Sequence, residues 1–155
     1  MLLGMARLRE LEGQASSIVY EAYKRFGRIA MLWSMGKDST ALLHLVRRTF
    51  RGKLPFSVVH IDTSYKFPEI YAFRDRLVKE WELPLRVVQA QESLDQGMNC
   101  QISRQKCCHA LKTEPLAKYV HNEQIEALLL AIRRDEHAVR AKERVFSPRQ
   151  ADFSW

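Results

Sequence analysis

The stretch Arg28–Val46, RIAMLWSMGKDSTALLHLV, decides the fold. Its first half, Ile29–Trp33, is a short uninterrupted apolar run, as expected of a strand buried on both faces. Its second half sets Leu42, Leu45, Val46 and then Phe50 at helical spacing. Between them lie Ser34, Met35, Gly36, Lys37, Asp38, Ser39 and Thr40, so strand passes to helix through a loop rich in donors. Gly36 allows an anion to approach the backbone with no side chain in the way. The first N–H groups of the following helix have no partners within the helix and sit at its positive end. Lys37 adds charge, and Ser34, Ser39 and Thr40 add hydroxyls. This is not a Walker A loop, which needs glycine where Met31 stands and Ser or Thr where Asp38 stands. The bland alternative is a capped turn, with Asp38 or Ser39 as N-cap.

The same alternation extends in both directions. Upstream, Leu8, Leu11, Ala15, Ile18, Val19, Ala22, Tyr23 and Phe26 share one helical face, with Gly27 expected as a C-cap. Downstream, PFSVVHIDT reads as a second strand, and Pro68 opens a helix buried along Ile70, Phe73, Leu77, Val78 and Trp81. LPLRVVQA is a third strand, and QESLDQGMNCQISRQKCC is irregular. HALKTEPLAKYV is helical with a kink or restart at Pro115. IEALLLAI is a fourth strand, followed by a charged helix, DEHAVRAKER. Strands alternating with helices predict an α/β fold, a doubly wound parallel sheet. In such sheets ligands bind beyond the carboxyl ends of the strands.

Two further strand ends carry chemistry. Asp62 ends the second strand, where a carboxylate can hold Mg²⁺ or merely support a turn. After the fourth, Arg133, Arg140 and Arg144 are spaced by seven and four, so one continuous helix would align them. Aligned guanidiniums suit sulfate or phosphate, while a solvated face laced by pairs such as Glu136–Arg140 is the alternative.

The 155 residues suffice for one domain with a real core. A net charge of +7 favours anionic partners, but the basic residues are scattered and no RNA-binding motif is present, so nucleic acid is not the expected partner. No apolar run is long enough for a secretory signal or a membrane span, which makes a cytoplasmic protein the expectation. The three cysteines, Cys100, Cys107 and Cys108, do not suggest a disulfide framework.

SMGKDS resembles the S-x-G-x-D-S loop of the PP-loop ATP pyrophosphatases, which bind the pyrophosphate moiety of ATP and cleave between its α- and β-phosphates. WSMGKDSTALLHLVRRTF, PFSVVHIDTSYKFPEIYAFRDRL and IRRDEHAVRAKERVFSP together resemble the small, ATP-binding subunits of bacterial sulfate adenylyltransferases, within the wider phosphoadenylyl-sulfate reductase family. The resemblance implies an adenine nucleotide α-hydrolase-like fold and one PP-loop nucleotide-binding domain over 1–155, with the family's C-terminal extension missing. It implies ATP and Mg²⁺ as cofactors, and a nucleotidyl transfer in which ATP and sulfate give adenylyl sulfate and pyrophosphate. ATP would be bound by Ser34, Met35, Gly36, Lys37, Asp38, Ser39, Thr40 and Asp62, the last also a candidate Mg²⁺ ligand. Lys37, Asp38, Arg133, Arg134 and Arg140 would carry the catalysis. The implied partner is a GTP-hydrolysing large subunit, because sulfate is a poor nucleophile and the mixed anhydride is high in energy. The alternatives are a reductase of adenylyl sulfate or phosphoadenylyl sulfate and a non-catalytic nucleotide-binding subunit. Cys107–Cys108 resembles the paired cysteines that begin the iron–sulfur ligand set of adenylyl-sulfate reductases. A four-iron cluster takes four thiolates and the chain has three cysteines, so free or buried thiols are the favoured reading.

Overall fold

Strands and helices alternate in the computed structural model, which describes residues 2–136 and 138–150. A long helix α1 (Leu2–Arg25) leads into β1 (Ile29–Leu32), α2 (Lys37–Thr49) and β2 (Ser57–Asp62). There follow α3 (Pro68–Trp81), β3 (Leu85–Gln89), the short α4 (Gln91–Asp95) and α5 (Arg104–Cys108). A π-helical turn, His109–Thr113, joins α5 to α6 (Glu114–Asn122), and β4 (Ala127–Leu129) completes the sheet.

The four strands are all parallel, in the order β3-β2-β1-β4. The chain steps from β1 to β2 to β3 in one direction, then returns to lay β4 on the free side of β1. Right-handed crossovers put α2 and α3 on one face and the α5–α6 segment on the other. Ile29, Met31 and Trp33, at alternate positions along β1 and its extension, join Val58, Leu43, Val46 and Leu77 in the main core. Trp33 extends the sheet past β1, its N–H donating to the Val59 carbonyl at 2.9 Å. Truncating the fully buried Leu43 to alanine is expected to cost about 2–5 kcal/mol, readable as a fall in the urea midpoint.

Several local expectations need correction. Gly27 is not a left-handed C-cap; its N–H instead donates to the Glu126 carboxylate at 2.7 Å, tying the entry of β1 to that of β4. β3 is not buried on both faces, since Arg86, Val87 and Gln89 are exposed on what is an edge strand. The segment read as irregular contains α4 and α5, with Ser103 capping α5 by accepting the Lys106 N–H at 3.3 Å. The restart expected at Pro115 does occur: a π turn with helical angles at residues 108, 109, 113 and 114 runs into α6, which has Pro115 in its first turn.

The charged helix expected after β4 is not formed. Residues 130–136 are loop and turn, and Ala138–Arg140 is a single 3₁₀ turn. Helix stability in proteins comes chiefly from burying an apolar stripe. This segment has arginines where a stripe would be, and its charges pair locally, so no continuous helix aligns Arg133, Arg140 and Arg144.

Candidate functional site

Strand order reverses between β1 and β4, which makes the carboxyl ends of these two strands the ligand crevice of the sheet. The loop from Trp33 to Gly36 lies at one side of that crevice and the loop after Leu129 at the other.

Gly36, not Asp38 or Ser39, is the N-cap of α2, and no side chain caps the helix. Its φ of −71° and ψ of 161° are open to any residue, so conformational freedom does not account for glycine here. A Cβ at Gly36 would meet the Ser34 hydroxyl at 3.4 Å and the Ser39 hydroxyl at 4.0 Å, ordinary contacts. What glycine leaves is a bare helix N-terminus. The left-handed conformation falls instead on Met35, at φ 61°, whose side chain packs on the core. Non-glycine residues in that region store strain and gather at binding sites.

The hydroxyls around the loop are already ordered. Ser34 and Ser39 lie 3.0 Å apart, Ser39 donates to the Gly36 carbonyl at 3.1 Å, and the Trp33 indole N–H donates to Thr40 at 3.0 Å. Lys37 is exposed at the helix mouth, Asp38 is half-buried behind it, and Ser39 is buried. The site therefore offers backbone N–H groups, one ammonium and fixed hydroxyls, a set suited to an oxyanion.

Asp38 is close enough to Arg133 for its charge to act on the guanidinium, which links the two sides of the crevice. Arg133 forks onto Asp135, with contacts of 3.1 and 2.7 Å, and this pairing chiefly, with Asp38 adding to it, holds its pKa above the usual value. Arg140 is paired with Glu136, and Arg134 is exposed. The arginines thus follow β4 as separate residues on no common helix face, Arg133 paired with Asp135 and Arg140 with Glu136.

Asp62 heads a second cluster at the end of β2. Its Oδ1 accepts the Ser64 N–H at 2.9 Å and the Tyr71 hydroxyl at 2.8 Å, and lies 4.0 Å from the Lys66 ammonium. Burial alone would raise its pKa, but those bonds and the Lys66 charge outweigh it and hold the carboxyl below its ordinary range. Burial first, then the nearby Lys112 and Arg74 charges, push the Lys66 pKa down despite Asp62. Oδ1 of Asp62 thus orders the loop after β2, beside an ammonium. Among the described residues no group of three or more His, Cys, Asp or Glu could hold a metal ion. Cys107 is buried, Cys108 half-buried and Cys100 exposed.

Sequence reading missed Lys66, Tyr71, Arg74 and Lys112. Asp62–Lys66 and Tyr71–Arg74 are spacings of four and three that could have been noticed, whereas Lys112 reaches the cluster only through the π turn. It also missed His60, which is fully buried, with Nδ1 at 3.2 Å from the Trp33 carbonyl and Nε2 unpartnered. Burial, then the Lys66 charge, lower its pKa from 6.5 to about 4. The unfolded chain gains that proton near pH 6.5, while the folded one resists it until about pH 4. Stability is therefore full above that window and falls as pH drops through it, by on the order of 3 kcal/mol. Urea midpoints at about pH 7.5 and about pH 5 are expected to differ accordingly, and His60→Gln to flatten the difference.

A family model described as the phosphoadenosine phosphosulfate reductase domain matches residues 28–153. The chain belongs to this family. Within it, the chain is 39% identical over 153 residues to a sulfate adenylyltransferase subunit 2 of Serratia proteamaculans, covering 97% of this chain and 51% of that protein. It is 41% identical over 152 residues to the subunit of the same name from Myxococcus xanthus, covering 97% and 50%. The chain thus spans about half the length of the curated relatives it matches.

Solved structures show the fold. An FMN adenylyltransferase from Candida glabrata in complex with ATP matches with a TM-score of 0.70 at 17% identity, over 96% of this chain and 48% of that one. A phosphoadenylyl-sulfate reductase from Candida auris in a phosphate complex matches at 0.61 and 14% identity, over 74% and 58%. This family member therefore has the adenine nucleotide α-hydrolase-like sheet that its first strand-loop-helix unit suggests.

Proposed function

We propose that the chain is the ATP-binding part of a sulfate adenylyltransferase, in which a sulfate oxygen displaces pyrophosphate from the α-phosphorus of ATP. The observation that carries this reading is the near-complete coverage of the chain, at about 40% identity, by relatives named sulfate adenylyltransferase subunit 2. The geometry supports it with an uncapped α2 N-terminus at the switch point of the sheet.

In this reading the Gly36–Thr40 backbone and Lys37 hold the leaving pyrophosphate and stabilise the charge that grows on it. Ser34 and Ser39 keep the loop in shape, and Met35 fixes its strained corner. Asp38 orients the Arg133 guanidinium. Arg133, Arg134 and Arg140 grip sulfate or the α-phosphate, Arg133 and Arg140 on leaving Asp135 and Glu136. Asp62 orders the loop after β2. The reaction asks the protein for placement and electrostatics more than for covalent chemistry. Mg²⁺ arrives on the nucleotide's phosphates as part of the substrate. The other subunit implied by the relatives' names is the GTP-hydrolysing partner, and the assembly works in the cytoplasm.

The test is pyrophosphate release from ATP with and without sulfate, in the presence of a GTP-hydrolysing partner subunit. Sulfate-dependent release is the expected result. Thiol-dependent sulfite release, or bound iron, would favour a reductase instead. Nucleotide binding without turnover would favour a non-catalytic subunit.

A further inference from the structure

Packing does not account for a histidine at position 60. Side chains alternate along β2, so His60 shares the face of Val58, a member of the main core. His60 is fully buried and its Nε2 has no partner. An apolar side chain would fill that place with no polar atom left unpaired. The other ring nitrogen, Nδ1, lies 3.2 Å from the Trp33 carbonyl. A carbonyl only accepts, so Nδ1 carries the proton and donates it.

The acceptor sits where the sheet ends and the loop before α2 begins. The Trp33 N–H still donates to the Val59 carbonyl, at 2.9 Å. The next rung of a parallel ladder would run from the Ile61 N–H to the Trp33 carbonyl. The pairing of β1 with β2 stops at Leu32 and Val59, and the His60 ring takes the place of that rung. The Trp33 carbonyl and the Ser34 N–H belong to one rigid peptide plane and point in opposite directions. A carbonyl held toward His60 therefore turns the Ser34 N–H away from the core, where it meets no acceptor among the described residues. The next residue, Met35, takes the left-handed angle, which holds only where the surroundings over-determine it. The other side-chain hydrogen bonds of the loop, Trp33–Thr40, Ser34–Ser39 and Ser39–Gly36, join residues 33–40 to one another. His60 ties the loop to the sheet.

We propose that His60 is a positioning residue for the nucleotide. Its bond to the Trp33 carbonyl sets the Trp33–Ser34 peptide so that the Ser34 N–H joins the first N–H groups of α2 as a donor to the phosphates of ATP. The inference rests on the reading of the Gly36–Thr40 helix end as the pyrophosphate site. With the donors set beforehand, less binding energy is lost to ordering the loop. The test is magnesium pyrophosphate affinity by calorimetry at about pH 7.5, beside kcat/KM for ATP and the urea midpoint of each variant. His60→Leu removes the donor and keeps an apolar side chain in the core. It is expected to lower pyrophosphate affinity by about 10-fold, and kcat/KM with it, while the urea midpoint holds. His60→Met makes the same test should the leucine variant not fold. His60→Asn places an amide N–H near the position of Nδ1 and is expected to recover most of the affinity, although a buried asparagine lowers the urea midpoint. A merely structural histidine would give the opposite order, with asparagine the worst. Affinity that follows the urea midpoint overturns the proposal, and so does a leucine variant that binds as the wild type does. Lys37→Ala separates this inference from the reading beneath it. Loss of affinity in Lys37→Ala but not in His60→Leu sinks the inference alone, and loss in neither sinks both.

Discussion

Gly36→Val is expected to cut ATP turnover by at least about 100-fold while changing unfolding free energy by no more than about 1 kcal/mol. The two halves of this result come from one geometry. At φ −71° and ψ 161° a β-branched residue meets no backbone strain, and the nearest atom to a new Cβ is the Ser34 hydroxyl at 3.4 Å. The fold therefore has little reason to object. The new methyl groups, however, would stand over the N–H groups that begin α2, where the proposed reaction places the pyrophosphate. Steady-state kinetics and a urea melt on the same preparation separate the two effects. A variant that keeps wild-type turnover would show that the nucleotide does not approach this helix end.

Lys37→Ala and Asp38→Ala are expected to lower turnover by on the order of 10²–10³ each, for different reasons. Lys37 is an exposed ammonium at the mouth of α2, so its loss removes charge from the leaving group without disturbing packing. Asp38 is half-buried and acts on Arg133 across the crevice, so its loss frees the arginine from one of the three carboxylates, with Asp135 and Glu136, that act on it. Lys37→Ala should weaken pyrophosphate binding. Asp38→Ala should leave that binding nearly intact and lose turnover, and retention of full pyrophosphate release would place the reaction elsewhere.

The Asp38 result matters because the acidic residue in the middle of an anion site is the odd feature of the loop. Its place in the first turn of α2 is favourable to the helix dipole, and its reach to Arg133 gives it a second role. Neither role requires it to touch the nucleotide.

The sheet and most of its helices were legible because their signals are long and periodic. Ile29–Trp33, Ser57–Asp62 and the Leu42–Phe50 stripe each offer one period and one burial solution. The loop before α2 was legible as a donor-rich strand-to-helix turn, although which residue takes the strained angle was not. Met35 holds that conformation. The arginines after β4 were legible as a group near the site but not as a shape. Helical spacing was present there without an apolar stripe to fix it, and short pairs such as Arg133–Asp135 won. The Asp62 cluster was hidden for another reason. Lys66, Tyr71, Arg74 and Lys112 come together only when α3 and the π turn are both packed at the end of β2, and no single segment announces them.

In the proposed reaction the Gly36–Thr40 helix end holds the pyrophosphate of ATP, so that the bond broken is the one between the α- and β-phosphates. Phosphorus NMR of the products formed from ATP and sulfate measures this directly. Pyrophosphate with an adenylyl product is the predicted result; ADP with orthophosphate would contradict it.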